Sequence, residues 1–361
     1  MKRVKFGVIG LKGVGRSHLR SIKALDLAEL SAVADINERI GKEVSSEYNV
    51  EWFKDYVEML EKADIDAVCI CTPHFLHYPM ACMSLQFEKH VLVEKPMSIT
   101  VSEADEMINV ALRKNLKIGV VFQNRLNPVA IKVKEIIERN LKKIYRVSME
   151  ACFFRSQAYY NSDPWRGKWA TEGGGVLINQ GIHHLDLLQW LVGKPVKLQG
   201  QIGTLIHKIE VEDVASATIL FEGGSHGVIQ LSTIDAPSTV RLEVMGDGGK
   251  VIFEGNKITY WALEAPVKNC IQEAEAWGRP KVECREIVVE EKGPGHAGII
   301  EDFAKAILED RDPLVPGKEG RVSVEIANAI IFSSFTEKTI NFPIDRKAYD
   351  DLLRKLREKG D

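Results

Sequence analysis

The strongest constraint on the fold is the rhythm of the first 123 residues, in which short apolar runs alternate with longer amphipathic segments. This alternation is typical of parallel strands joined by helices. Each run is apolar enough to be covered on both faces of a sheet. The predicted strands are Val4 to Ile9, Leu30 to Asp35, Ala67 to Thr72, His90 to Glu94 and Lys117 to Gln123. We therefore expect an α/β domain with a parallel sheet over residues 1–123.

The pattern changes after residue 123. A predicted helix from Pro128 to Asn140 precedes alternating runs and glycine-rich turns, which favour hairpins of an open sheet with one buried face. These features are the runs Tyr145 to Phe154, Ala215 to Phe221 and His226 to Thr233, and the turns Glu222 to Gly224 and Gly246 to Gly249. We expect an α+β domain with a mainly antiparallel sheet over residues 124–361, whose last helices can pack back on the first domain. An uncovered sheet face also predicts a homodimer or homotetramer.

Composition and charge exclude several kinds of partner. A formal net charge of -3 over 361 residues gives no field that favours nucleic acid or an anionic membrane. No run approaches the ~20 apolar residues that a membrane helix requires. The 6 cysteines form no CxxC pair and have no histidine at zinc-like spacing. We expect free thiols, no metal site and a reducing, cytoplasmic location.

The turn after the first predicted strand has the position that a dinucleotide-binding fingerprint requires. Gly10, Gly13 and Gly15 allow a tight turn, and the start of the following helix, at Val14, favours a pyrophosphate. Lys12 stands where the middle glycine of GxGxxG usually lies, although it can add a positive charge. We expect these five residues to bind the cofactor; the alternative is a plain glycine-rich turn between a strand and a helix.

Asp35 ends the second predicted strand, about 25 residues after Gly10, which is the usual spacing for a carboxylate that binds the adenosine ribose. A carboxylate at this place repels a 2′-phosphate. The sequence therefore predicts NAD rather than NADP, with Arg39 the residue most able to alter that preference.

Polar residues follow the next predicted strands. Thr72 and His77 come after the third, Glu94 and Lys95 after the fourth, and Gln123 ends the fifth. Because the carboxyl ends of parallel strands share the edge where ligands bind, we expect these side chains to lie near the nicotinamide. A lysine beside a cationic nicotinamide has a lowered pKa and can relay protons. Taken alone, Glu-Lys-Pro would more often be a surface turn.

These motifs together resemble the glucose-fructose oxidoreductase and inositol dehydrogenase family, also called Gfo/Idh/MocA. The segments that carry the resemblance are Gly10 to His18, Thr72-Pro73 with His77, Glu94-Lys95-Pro96, Glu172 to Asp186, and Asp302-Phe303 with Ala306-Ile307. They span nearly the whole chain. The resemblance implies a Rossmann domain followed by an open-sheet domain, and hydride transfer between NAD and a carbon of a sugar or cyclitol.

The resemblance also assigns proton transfer to Lys95 and His183. Asn179 stands where the family often has Asp; it can orient the imidazole or a hydroxyl but cannot stabilise an imidazolium by charge. We expect His183 to accept the alcohol proton and Lys95 to polarise the same oxygen or relay the proton. Read without the family, His183 is equally well a structural histidine bonded to Asp186 in the same helix. His184 is predicted to be structural.

The segment before the glycine run, residues 159–169, is dense in aromatic rings and donors. We expect Tyr159, Tyr160, Trp165 and Arg166 to contact the substrate, the rings by stacking on a sugar and the arginine by pairing with a phosphate or carboxylate. The alternative is an interdomain loop packed by its own aromatics.

The sequence of the segment Val176 to His183 resembles that of family members that oxidise the 3-hydroxyl of UDP-linked amino sugars more than that of inositol dehydrogenases. A UDP-amino sugar is therefore the expected substrate. The alternatives are an inositol or free-sugar dehydrogenase, a glycosidase that uses NAD in a redox-neutral cycle, and a sugar sensor that binds the cofactor without chemistry.

Overall fold

The computed structural model describes residues 2–360, which form two compact units. The first unit consists of residues 2–123, 169–173 and 294–324, and the second of residues 124–168, 174–293 and 325–360. The helices are α1 Val14–Lys23, α2 Glu38–Tyr48, α3 Tyr56–Lys62, α4 His74–Gln86, α5 Val101–Arg113, α6 Pro128–Ile136, α7 Gln157–Tyr160, α8 Ile182–Val192, α9 Val267–Glu273, α10 Gly295–Leu308, α11 Gly317–Thr336 and α12 Arg346–Gly360.

A parallel sheet of six strands organises the first unit, as the sequence predicted. Its strands are β1 Val4–Ile9, β2 Ala28–Ala34, β3 Glu51–Phe53, β4 Ala67–Ile70, β5 His90–Val93 and β6 Ile118–Val120. They lie in the order β3-β2-β1-β4-β5-β6, and each neighbouring pair is parallel. The order reverses between β1 and β4, and the crevice outside the carboxyl ends of such strands is where open α/β sheets bind ligands.

Some helix starts in this unit are capped by side chains, whereas α1, α4 and α10 have no side-chain cap. Asn37 accepts a hydrogen bond from the Ile40 amide, and Thr100 with Glu103 forms a capping box at the start of α5. By contrast, α1 begins after Gly13 with no side-chain cap and no acidic residue in its first turn. Apart from the Gly15 amide, which donates to the Lys12 carbonyl, no side chain caps the first amide groups of α1, and such amides can bind an anion.

Two strands differ from the sequence prediction. β3 was not predicted, because three residues are too short to show a period. The run Lys117 to Gln123 was predicted as a strand throughout, but only Ile118–Val120 pairs, and the chain turns into the 3₁₀ helix Gln123–Leu126. The predicted helix from Pro128 ends its α-helical part at Ile136 and continues as a π-helical turn over Ile137–Leu141.

A mixed sheet of nine strands organises the second unit. Its strands are β7 Ile144–Phe154, β8 Pro195–Gly203, β9 Val214–Phe221, β10 His226–Ser232, β11 Ile234–Gly246, β12 Gly249–Glu254, β13 Lys257–Leu263, β14 Val282–Val288 and β15 Ile340–Asn341. Both predicted hairpins, β9 with β10 and β11 with β12, are antiparallel. The pair β7 and β10 is parallel, so the sheet is mostly rather than wholly antiparallel.

The two faces of this sheet differ in polarity. Along β9, Ala215, Ala217, Ile219 and Phe221 are buried, whereas the residues between them are exposed or half-buried. The exposed positions of β8 to β10 are mainly polar: Lys197, Gln199, Gln201, Ser216, Thr218, His226 and Gln230, with Val196 and Val228 as the apolar exceptions. The expectation of a large apolar face in need of cover is therefore not met on these strands. No helix within residues 2–360 has the length and apolar character needed to cross a bilayer.

Candidate active site

The glycine-rich turn between β1 and α1 forms a tight cradle in the first unit. Gly10 has a φ of 87°, and a Cβ on Gly15 would lie 2.1 Å from the Gly10 carbonyl oxygen. The Gly15 amide donates to the Lys12 carbonyl at 2.8 Å. Lys12 itself is exposed, as is Gly13, which has a φ of 48°. The lysine in the place of the middle glycine is thus accommodated with its side chain toward solvent.

Asp35 follows β2 and is joined to this turn. One carboxylate oxygen accepts the Leu11 amide and the other accepts the Asn37 amide, each at 2.8 Å. The carboxylate therefore holds the glycine-rich turn against the end of β2, and it is partly exposed there. Arg39, in the first turn of α2, is exposed.

The residues after β4 divide into an open and a buried part. Thr72 is partly exposed and its hydroxyl contacts the Met80 sulfur at 3.6 Å. His77 is fully buried; its ring nitrogens lie 2.8 Å from the Thr72 carbonyl and 2.7 Å from the Pro96 carbonyl. Burial lowers the pKa of His77, although these hydrogen bonds oppose that shift. We infer that His77 links the two loops rather than binding cofactor.

Glu94, at the end of β5, is also buried rather than open to a ligand. One of its oxygens lies 2.8 Å from Nε2 of His18 and 3.5 Å from Nε2 of His296, and the other accepts the Lys95 amide at 3.2 Å. Burial alone would raise the pKa of Glu94, but the two histidines outweigh it and hold that pKa well below its usual range. Glu94 is thus an ionised group inside the first unit.

Two further predicted residues lie on loops that follow strands of the same sheet. Lys95 is partly exposed and is joined to Pro96 by a cis peptide bond. Gln123 begins the 3₁₀ helix after β6, and its Oε1 atom is buried with no hydrogen-bond partner among residues 2–360. The first unit therefore fits NAD: the uncapped α1 start and the glycine cradle suit the pyrophosphate, Asp35 suits the ribose, and Gln123 offers an unused acceptor.

In the second unit, the Tyr159 hydroxyl gathers several of the predicted substrate residues. It accepts hydrogen bonds from Arg166 at 2.5 Å and from the side-chain amides of Asn179 and Gln180, each at 3.1 Å. Sequence reasoning did not single out Gln180, although it follows Asn179 directly. Tyr159 thereby connects the aromatic segment to the turn that precedes α8.

The guanidinium of Arg166 lies close to two aromatic rings. Its guanidinium carbon lies 4.3 Å from the Tyr159 ring centroid and 4.5 Å from that of Trp165. Its Nε atom is buried and has no hydrogen-bond partner within residues 2–360. Tyr160 differs from its neighbour: its side chain is buried and its hydroxyl bonds Thr233 at 2.9 Å. We infer a structural role for the Tyr160 ring.

An open cleft of about 670 Å³ lies beside Arg166 in the second unit. Three cationic side chains line it, Arg166, Lys168 and Lys208, together with the carboxylates of Asp163 and Glu210. Both lysines are exposed, and Nε of Arg166 is 3.9 Å from the Asp163 carboxylate. The cleft therefore carries an excess of positive charge next to an immobilised guanidinium.

The glycine-rich run before α8 is fixed by a buried acid that the sequence analysis missed. The Glu212 side chain accepts the amides of Gly175 at 2.8 Å and Leu177 at 3.0 Å. A Cβ on Gly175 would lie 1.8 Å from the Glu212 carbonyl oxygen, so only glycine fits. The sequence signal was a pair of acidic residues, Glu212 and Asp213, directly before an alternating apolar strand.

Helix α8 carries His183 in its first turn and is anchored by a buried ion pair. Arg125 donates to both oxygens of Asp186, at 2.8 and 2.7 Å, and both side chains are almost fully buried. Asp186 also accepts a hydrogen bond from the Gln189 side chain at 3.3 Å. Burial lowers the pKa of His184 to about 4, consistent with the structural role expected of it.

Comparison with known proteins identifies the family. Residues 4–122 match the model of the oxidoreductase family with an NAD-binding Rossmann fold, GFO_IDH_MocA, and residues 131–252 match the GFO/IDH/MocA C-terminal domain. Myo-inositol 2-dehydrogenase of Thermotoga maritima is 24% identical over 90% of this chain and 95% of its own length. Glucose-6-phosphate 3-dehydrogenase of Bacillus subtilis is 30% identical over 52% of this chain and 53% of its own.

Among solved structures, the WlbA dehydrogenase from Bordetella pertussis, in complex with NADH and UDP-GlcNAcA, superposes with a TM-score of 0.82 at 27% identity. The match covers 95% of this chain and 100% of that one. The two family models together cover more than half of the chain, in agreement with the cofactor cradle of the first unit. This chain therefore belongs to the Gfo/Idh/MocA family of NAD-dependent oxidoreductases.

Proposed function

We propose that this enzyme oxidises the 3-hydroxyl of a UDP-linked amino sugar with NAD. The observation that carries the substrate class is Arg166, an immobilised guanidinium beside a cleft with two further cations. A planar guanidinium is suited to bidentate pairing with a phosphate or carboxylate. A neutral cyclitol would make no use of the excess positive charge of this cleft.

Two of the similar proteins favour an anionic sugar as the substrate. WlbA binds UDP-GlcNAcA, and glucose-6-phosphate 3-dehydrogenase is named for the oxidation of an anionic sugar at carbon 3. The inositol dehydrogenase relative, by contrast, is named for a neutral substrate. The size of the cleft, about 670 Å³, also leaves room for a substituent larger than a single sugar ring.

In the proposed reaction, His183 accepts the proton of the 3-hydroxyl while the hydrogen on that carbon leaves with its electron pair. Bound NAD supplies the hydride acceptor. Lys95 polarises the alcohol oxygen or relays the proton, and Asn179, held with Gln180 on the Tyr159 hydroxyl, orients the substrate. The alcohol thus becomes a ketone, one proton goes to the histidine, and one hydride is transferred.

The test is NADH formation at 340 nm with UDP-N-acetylglucosamine, its uronate, myo-inositol and glucose. We expect a signal with the UDP sugars alone, and its loss in Lys95→Ala. His183→Ala should lower turnover by about 10² to 10⁴ while sparing NAD binding, since it removes general base assistance. Activity with myo-inositol and none with the UDP sugars would reject the substrate assignment.

A matched variant tests the anion contact. Arg166→Gln retains hydrogen-bond donors but removes the charge, so it should raise KM for the UDP sugars by about 10-fold or more, because a hydrogen bond to a charged group contributes about 1.5–3 kcal/mol. Bound NAD without turnover of any sugar would instead favour a sensor, and bond cleavage without net NADH a redox-neutral glycosidase.

We further propose that the enzyme acts as a homodimer or homotetramer in the reducing cytoplasm. Exposed apolar side chains in the second unit, among them Phe154, Leu205, Ile206 and Val228, offer surface for self-association. A monomeric mass at micromolar concentration by light scattering would remove this proposal.

A further inference from the structure

A buried trio in the first unit joins three distant parts of the chain, and the reaction proposed above does not use it. His18 lies in α1, Glu94 ends β5, and His296 is the second residue of α10. Both histidine Nε2 atoms approach the same Glu94 oxygen, at 2.8 and 3.5 Å, and the two rings pack edge to face with centroids 5.3 Å apart. His18 and Glu94 are almost fully buried.

The second oxygen of Glu94 connects this trio to the lysine loop. It accepts the Lys95 amide at 3.2 Å, and the carbonyl of the following residue, Pro96, contacts the His77 ring at 2.7 Å. The backbone on both sides of the Lys95 α-carbon is therefore held by buried groups. The ionised carboxylate of Glu94 is also next to this lysine in the sequence. The charges of both residues act on His77: the Glu94 carboxylate raises the pKa of the imidazole and the Lys95 ammonium lowers it.

A buried carboxylate must be compensated, and here two imidazoles and one amide do so. We propose that Glu94, fixed by His18 and His296, is a positioning residue that sets both the direction and the protonation of Lys95. This inference rests on the proposed role of Lys95 in proton transfer. His296 brings the start of α10 into the same arrangement, so that a residue about 200 positions away along the chain acts on the lysine through Glu94.

The charge of Glu94 should shift the pKa of Lys95 in a definite direction. A nearby anion favours the ammonium form of a lysine, so neutralising Glu94 should lower the pKa of Lys95. Glu94→Gln is close in shape and keeps one acceptor oxygen while losing the charge. His296→Gln keeps a donor and leaves the carboxylate in place, so it should disturb direction more than protonation.

Competitive acetylation of the NAD-bound protein across pH, read by mass spectrometry, measures the titration of Lys95 without any substrate. Exposed Lys268 serves as the internal standard, and Glu291→Gln, an exposed change of the same kind, as the matched control. We expect the Lys95 midpoint to fall by about one pH unit or more in Glu94→Gln. It should stay near the wild-type value in His296→Gln and in the control.

Turnover supplies the second measurement. Because a misplacement of about 1 Å can cost about 10²-fold, kcat should fall by about 10- to 100-fold in both Glu94→Gln and His296→Gln, with a smaller change in the KM of the sugar. An unchanged Lys95 midpoint in a folded Glu94→Gln protein would overturn the proposal. So would a stoichiometric transition metal in the purified enzyme that His296→Gln removes, since the trio would then be a metal site.

The results that would reject the proposed function differ from those that would reject the positioning role of Glu94. If Lys95→Ala retained full dehydrogenase activity, the role of the lysine in the reaction would be wrong while the acetylation midpoints could still shift. If Lys95→Ala were inactive and the Glu94→Gln midpoint did not move, the proton-transfer role would stand and the positioning role of Glu94 would fall.

Discussion

Replacing Asp35 should change the choice between NAD and NADP more than any other single substitution. Its carboxylate accepts the Leu11 and Asn37 amides at 2.8 Å and so lies at the turn that cradles the pyrophosphate. In the proposed complex it also accepts the ribose hydroxyls. Asp35→Asn keeps one acceptor oxygen and removes the charge. Comparing it with Asp35→Ala therefore separates the effect of the charge on cofactor binding from the effect of losing the side chain.

The expected changes in NADH and NADPH affinity follow from the charge of Asp35. Hydrogen bonds to a charged group contribute about 1.5–3 kcal/mol, so NADH affinity should fall by about 10- to 150-fold in Asp35→Ala. Two unit charges 4 Å apart repel by about 4 kcal/mol at an effective dielectric constant near 20. Removing this repulsion from a 2′-phosphate should strengthen NADPH binding by at least about 10-fold in Asp35→Asn.

Fluorescence titration with NADH and NADPH measures both affinities without a substrate. Asp55→Asn provides the control, because it removes a carboxylate from a helix cap at the start of α3, away from the glycine-rich turn. If Asp35→Asn left the ratio of the two affinities unchanged, the carboxylate would not be the group that discriminates, and the exposed Arg39 would be the next residue to test.

Three other substitutions test the framework of the two units. Gly15→Ala should abolish NADH binding in the same titration, because its Cβ would lie 2.1 Å from the Gly10 carbonyl oxygen; retained affinity would contradict the cradle. Arg125→Met should lower the free energy of unfolding by about 3–5 kcal/mol in urea, because it removes the cation that donates to both oxygens of buried Asp186, and adding Asp186→Leu should restore most of it. Asp213, whose pKa would be raised by burial but is lowered overall by amide hydrogen bonds, should stabilise the fold above about pH 4 and lose that contribution at lower pH. Asp213→Asn should therefore lower the free energy of unfolding by about 1–3 kcal/mol at pH 7 and by less at acidic pH. A loss of unfolding free energy that does not change with pH would refute this.

The sequence predicted the parallel strands because each is a continuous apolar run, and it predicted the hairpins because glycine turns separate alternating runs. It could not reveal the parallel pair β7 and β10, since residues that pair over so long a separation leave no local pattern. The cofactor turn was predicted from its glycines and from its position between a predicted strand and a predicted helix. The side chains that hold the loops, such as His77, Glu94 and Glu212, were either assigned to the cofactor or missed, because burial of a polar group is decided by tertiary partners rather than by neighbours in the chain.

The assembly of the first unit from separated stretches of chain has a consequence for synthesis. Phe303 of α10 is fully buried and packs against Gly119 of β6. The packing is close, because a Cβ on Gly119 would lie 3.0 Å from the Phe303 ring. Helix α10 begins 175 residues after the end of β6 (295 − 120), so it leaves the ribosome that many residues later. At a synthesis rate of about 5–20 residues per second, that face of the nascent sheet stays without α10 for about 10 to 40 s. A fragment ending at residue 123 would keep the same apolar surface permanently open, and it would present to chaperones what the complete chain covers.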